Sequence, residues 1–245
     1  MNPKHKKRIA VAFGAIAAFM LVEPPARAHD EHAAKVKEAA SQSVKAGKAF
    51  DAIMQTPDKA IPRDLLAHAK AIAVFPQVIK AAFVVGGEGG RGVVIRRTGA
   101  GWSDPAFFRA AGGSVGPQIG ASATDFVLLF MNDEAVGALM KDKFALGAEV
   151  GVAGGPVGRA AGAGTDVLLH AEILSYSRSR GLFARVNLKG VVVKPEDDLN
   201  QAVYKRSARE LLADDGAPPV TDAAAGLPSF PQAVARYSPA PDAAH

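Results

Sequence analysis

Gly112-Gly113-Ser114-Val115-Gly116 has the G-x-S-x-G spacing of a nucleophile elbow, in which a tight turn lifts a serine hydroxyl clear of a sheet, and Asp166 and His170 follow in the order nucleophile, acid, base. The surroundings oppose that chemistry. An elbow needs a strand before its serine and a helix after it, whereas Pro117-Gln118-Ile119-Gly120 opens a helix poorly and leads into an apolar strand. Asp166 and His170 on one strand would stand roughly 13 Å apart, too far for direct acid and base partners. Gly87-Glu88-Gly89-Gly90-Arg91-Gly92 has the spacing of a dinucleotide fingerprint, but Val93-Val94-Ile95 continues as a strand where that fingerprint needs a helix N-terminus against the pyrophosphate. A glycine-rich hairpin accounts for it. The histidines are scattered, and neither His68 nor His170 has a partner at metal-ligand spacing; a hydrogen bond explains His170 and Glu172 more cheaply than a metal. No catalytic residue, metal or other cofactor is expected.

The arginines remain. Arg96 and Arg97 precede a turn at Gly99 and Gly101, while Arg178 and Arg180 sit in a turn that runs straight into Leu182 and Phe183. Phe107-Phe108 likewise stands beside Arg109. Cations next to bulky apolar groups suit a bilayer surface, with guanidinium on phosphate and aromatic rings at the acyl boundary. Arg178, Arg180, Phe183, Arg96 and Arg97 are therefore the candidate lipid contacts.

Residues 1–28 read as a secretory signal: a basic start, the apolar run Ile9 to Val22, too short to span a bilayer, and Ala26-Arg27-Ala28 as a small-x-small cleavage site. The whole chain carries +5, but without those residues 24 cations face 23 anions, too even for a protein that neutralises many nucleic-acid phosphates. With no cysteine, the chain has neither disulfides nor a lipoprotein anchor, so an exported, periplasmic or peripherally membrane-associated protein is expected, cleaved after Ala28. Residues 29–64 form an amphipathic helical segment, in which Ala33, Val36, Ala40, Val44, Gly47, Phe50 and Met54 recur at helical steps and Pro62 opens a second short helix. Residues 65–213 hold most of the 25 glycines among short Val, Ile, Leu and Phe runs, which predicts strands at 71–75, 82–86, 92–97, 119–131, 145–153, 167–177, 182–188 and 191–194. Thr124 to Met131 is apolar without alternation and should be buried on both faces. Helices are predicted at 133–142 and 195–213, and residues 214–245, rich in Ala and Pro, are predicted to be a disordered tail. The fold class is α+β: N-terminal helices packed on a curved, mostly antiparallel sheet, with one inserted and one C-terminal helix.

Ala69 to Phe75, Gly92-Val93-Val94-Ile95, Trp102-Ser103 with Pro105, Gly120 to Leu128 around Thr124-Asp125-Phe126, and Ser175 to Phe183 together resemble the SYLF domain, over about residues 50–207. The resemblance implies a phospholipid-binding module with no catalytic residue to carry over, which in eukaryotic relatives is joined to other domains and binds phosphoinositides or actin. For an exported bacterial member, anionic phospholipid at an envelope membrane is the expected partner. A protein-interaction or scaffolding role in the envelope is the first alternative, and a serine hydrolase using Ser114 the second.

Overall fold

The stripe of small and apolar residues near the N-terminus forms a helix, α1 (Pro25–Met54), in the computed structural model, which describes residues 25–56, 60–99, 101–157, 171–179, 182–183, 188–213 and 225–238. Ala39, Ser43, Ala46, Phe50 and Ile53 of α1 are buried, and Lys37, Lys45 and Lys48 are exposed, as a one-sided helix requires. Pro62 precedes α2 (Arg63–His68). Among the described residues no helix is long and apolar enough to cross a membrane.

Two long strands dominate the sheet, β1 (Ala71–Thr98) and β3 (Ala106–Phe130), paired antiparallel from Ala71 opposite Phe130 to Val94 opposite Ala106. At their turn, β2 (Gly101–Trp102) pairs back on Arg97 and Thr98. A straight strand of that length would reach about 80 Å, whereas a folded chain of this size has a radius of gyration near 18 Å, so the pair must curl. Two irregularities bend it. Pro76 and Gln77 stand opposite the single residue Asp125, and Gln77 takes the left-handed conformation, φ 51°. Near the far bend, residues 116–118, Pro117 among them, face Val84 without ladder partners. The curl brings Phe75 over Gly92 and Val78 over Gly90 of the same strand, so those glycines face the concave side.

Beyond β3 the sheet continues with β6 (Ile173–Ser179), paired to residues 124–130, and β8 (Val192–Pro195), paired to residues 108–111. β5 (Val152–Gly154) pairs parallel to β6; β4 (Phe144–Ala145) pairs with β8, and β7 (Leu182–Phe183) with β6. Asn132 caps α3 (Asp133–Leu139), its side chain accepting from the Ala135 N–H at 2.8 Å. The other face of the sheet carries α4 (Asp197–Tyr204), whose Tyr204 ring stacks on Phe107. Asn200 accepts from the Phe107 N–H at 2.8 Å and donates to the Phe107 carbonyl at 3.0 Å, holding α4 to the strand edge. The architecture is thus α+β, helices against a curled and mostly antiparallel sheet, and Thr124 to Met131 is buried on both faces but for a half-buried Asp125.

Four expectations are corrected. Runs predicted as separate strands are continuous, and residues 106–118, not predicted as strand, complete β3. Phe107 and Phe108 are wholly buried, one on each face, and are core residues rather than membrane contacts. The last predicted helix is two, α4 and α5 (Ala208–Ala213), because Lys205 turns left-handed, φ 56°, and Ser207 caps a new start. Residues 225–238 of the expected tail are folded: α6 (Ser229–Ala235) buries Phe230 and Val234 against α1. Its anchor is Ser43, whose hydroxyl donates to the Leu227 carbonyl at 2.6 Å and accepts from the Phe230 N–H at 3.2 Å.

Candidate functional site

Ser114 lies inside β3, opposite Gly86, and the strand runs on to Phe130. A serine within a continuous strand is not on an elbow; Asp166 and His170 lie outside the described residues. Gly87 to Gly92 is also mid-strand, paired with residues 108–113, rather than a hairpin turn, and Gly90 and Gly92 serve the close passage beneath Val78 and Phe75. His68 Nδ1 pairs with the Asp64 carbonyl at 2.7 Å, and Glu172 accepts from the Gly151 N–H. Among the described residues no group of three or more His, Asp or Glu could hold a metal.

Arg96 donates to the Leu212 carbonyl at 2.7 Å, tying the end of α5 to β1. Arg97 donates to the carbonyls of Ala69 and Leu66 and to the Ser238 hydroxyl, and its guanidinium lies 4.2 Å from the Trp102 ring centroid. Burial lowers its pKa from the ordinary arginine value. Both arginines therefore clamp chain segments together. Arg178 stands opposite Asp125 in the ladder, 3.9 Å from its carboxylate, while the other Asp125 oxygen accepts from the Gln77 N–H at 2.9 Å and fixes the bulge. Phe183 is opposite Arg178 across β6 and β7; Arg180 lies outside the described residues.

The structure assembles a cluster that linear reading missed. Arg91 on β1 is directly opposite Arg109 on β3, which is directly opposite Lys194 on β8. Directly opposed residues point to one face, so three cations stand in a row across three strands, about 5 Å from one to the next. That face is the helix-bearing one, because Arg91 lies between the inward-facing Gly90 and Gly92. Like charges so placed repel, and Glu196 offsets them from beneath: 7% exposed, it pairs with Arg109 at 2.7 Å and Arg91 at 3.0 Å. Glu38 of α1 pairs with Arg91 from the open side. Lys194 is exposed, and so are Gly87, Gly89, Ala111 and Gly113 on the same face next to the row. The three cations are 18 and 85 residues apart in sequence, and only the strand register joins them. A faint signal existed in Arg109, a charge set directly after two buried aromatic residues.

On the concave side, Phe75, Val78, Ala110, Phe126, Leu146 and Val191 line an apolar cavity of about 20 Å³. Glu88 closes it, 4.0 Å from Lys80.

Comparison with known proteins agrees with these elements. The family model described as Ysc84, Las17-binding protein actin regulator, matches residues 111–230, from β3 into α6. An SH3 domain-containing protein of Schizosaccharomyces pombe is 35% identical over 190 residues, 73% of this chain and 44% of that protein. Human SH3 domain-containing YSC84-like protein 1 is 37% identical over 155 residues, 62% of this chain and 45% of its own length. LAS seventeen-binding protein 3 of Saccharomyces cerevisiae is 34% identical over 151 residues, 60% of this chain and 33% of its own. The chain thus spans less than half the length of these relatives, two of which are named for an SH3 domain and one for binding LAS seventeen. The matched span and the motifs from β1 to β7 make this chain a member of the Ysc84, or SYLF, family.

Proposed function

We propose that the protein binds anionic phospholipid at an envelope membrane, as a mature chain beginning at His29, and catalyses no reaction there. The observation that carries this reading is the row Arg91, Arg109 and Lys194, beside a strip of exposed small residues that lets a flat surface come close. Each cation at an anionic surface contributes on the order of 1 kcal/mol, weakened by salt. The set Arg178, Arg180 and Phe183 is a lesser contact in this reading, since Asp125 already offsets Arg178. Arg96 and Arg97 support the surface by holding α5 and the C-terminal segment.

Sedimentation with phosphatidylcholine vesicles, with and without phosphatidylglycerol, tests it. The wild type should sediment only with the anionic vesicles and release them as salt rises. Lys194→Gln should bind about fivefold more weakly, the equivalent of one surface charge, with an unchanged thermal midpoint. Equal sedimentation with neutral and anionic vesicles, or none with either, would sink the reading. The second reading, an envelope protein partner, is favoured by the relatives' names and would then take its place.

A further inference from the structure

The two carboxylates in the cation row differ in kind. Glu196 is built in: it precedes α4, its N–H donates to the Phe107 carbonyl at 2.9 Å, and one oxygen bridges both arginines. Glu38 comes from α1, is 40% exposed, and reaches Arg91 alone. Lys194 has no ion pair among the described residues and stands open at the far end of the row.

Resting on the membrane reading, we propose that Arg91, Arg109 and Lys194 form a site for a phosphate monoester, and that Glu38 occupies it as an internal counter-ion which the phosphate displaces. The charge count selects the ligand. Three cations less the fixed Glu196 leave two positive charges, of which Glu38 cancels one. A monoester carries about −1.5 to −2 at neutral pH and matches the pair released, whereas a diester carries one charge and merely equals the carboxylate that it must remove. Guanidinium groups take phosphate and carboxylate oxygens with the same forked geometry, so exchange at Arg91 needs no rebuilding of the site. The site belongs to α1 as much as to the sheet, because displacement of Glu38 undoes one of the contacts by which α1 holds β1.

The monoester could be the headgroup of phosphatidic acid or a soluble ester. Sedimentation compares phosphatidylcholine vesicles containing phosphatidic acid with ones containing phosphatidylglycerol at equal surface charge; calorimetry with glycerol 3-phosphate reports the soluble arm. Glu38→Gln should tighten binding to phosphatidic acid about fivefold, and to phosphatidylglycerol by much less. Glu31→Gln, which removes the same charge two turns earlier on α1, should change neither, and Lys194→Gln should reverse the gain. Thermal midpoints establish that each variant is folded. If Glu38→Gln binds phosphatidic acid no more tightly than the wild type, or no more tightly than Glu31→Gln, the site is wrong while binding to phosphatidylglycerol keeps the membrane reading intact. Binding of glycerol 3-phosphate, tightened by Glu38→Gln, with vesicles ignored, upholds the site and overturns the membrane reading. No binding in either arm overturns both.

Discussion

At the scale of single residues, Gly92 shows how a missing methyl group sets a curvature. A Cβ there would lie 2.3 Å from Cδ1 of Phe75, inside a ring that is itself buried, so the two stretches of β1 could not meet. Gly92→Ala should therefore destabilise by about 1–3 kcal/mol, the cost of overpacking, while Gly113→Ala, which meets nothing within 4 Å, should stay within about 0.5 kcal/mol. Urea unfolding of the two variants decides this, and equal midpoints would mean that the contact does not set the curl. The glycine-rich composition was readable along the chain, but not its purpose, because a glycine in a turn and a glycine beneath a ring leave the same letter. Arg97 makes the same point. Its place before a turn marked it as an exposed cation, yet three protein acceptors and the Trp102 ring surround its guanidinium.

Among the elements, α6 was hidden by averaging. Six prolines between Pro218 and Pro241 make the last thirty or so residues look unable to fold, although Phe230, Val234 and Tyr237 recur at helical steps within them. The structure uses all three: Phe230 and Tyr237 pack edge-on against Phe50 at 6.3 and 5.9 Å, and Val234 is fully buried. Truncation before Ala225 should lower the thermal midpoint by many degrees, and Phe230→Ala alone should cost about 3–5 kcal/mol. A midpoint left unchanged by truncation would restore the disordered tail. By contrast, α1 and α2 were legible because their apolar stripe and the position of Pro62 are local properties. The split between α4 and α5 was missed although Ser207 and Glu210 have the spacing of a capping box, in which the Glu210 carboxylate accepts from the Ser207 N–H at 2.7 Å.

For the molecule as a whole, hydrophobic patterning was enough to give the class, since helical stripes at both ends and glycine-spaced apolar runs between them have few other ways to bury their faces. It could not give the register, and the cation row exists only through register: a shift of β8 by one residue would turn Lys194 to the concave side. Asn200 carries a consequence for how this molecule meets others. Past the end of β8, the outer edge of β3 at Phe107 would present a bare N–H beside a carbonyl that the Glu196 N–H already meets, and an unpaired edge group is where a foreign strand can begin to add. The Asn200 amide answers both groups as a neighbouring strand would, at 2.8 and 3.0 Å, so a helix side chain acts as a one-residue counterfeit of a strand. Asn200→Leu, similar in bulk and without the amide, should leave the monomer folded but prone to self-association, visible as growing mass in light scattering; a variant that stays monomeric at high concentration would deny the role. At Phe107 the fold thereby closes an edge position to strand addition from within, with one side chain from a helix.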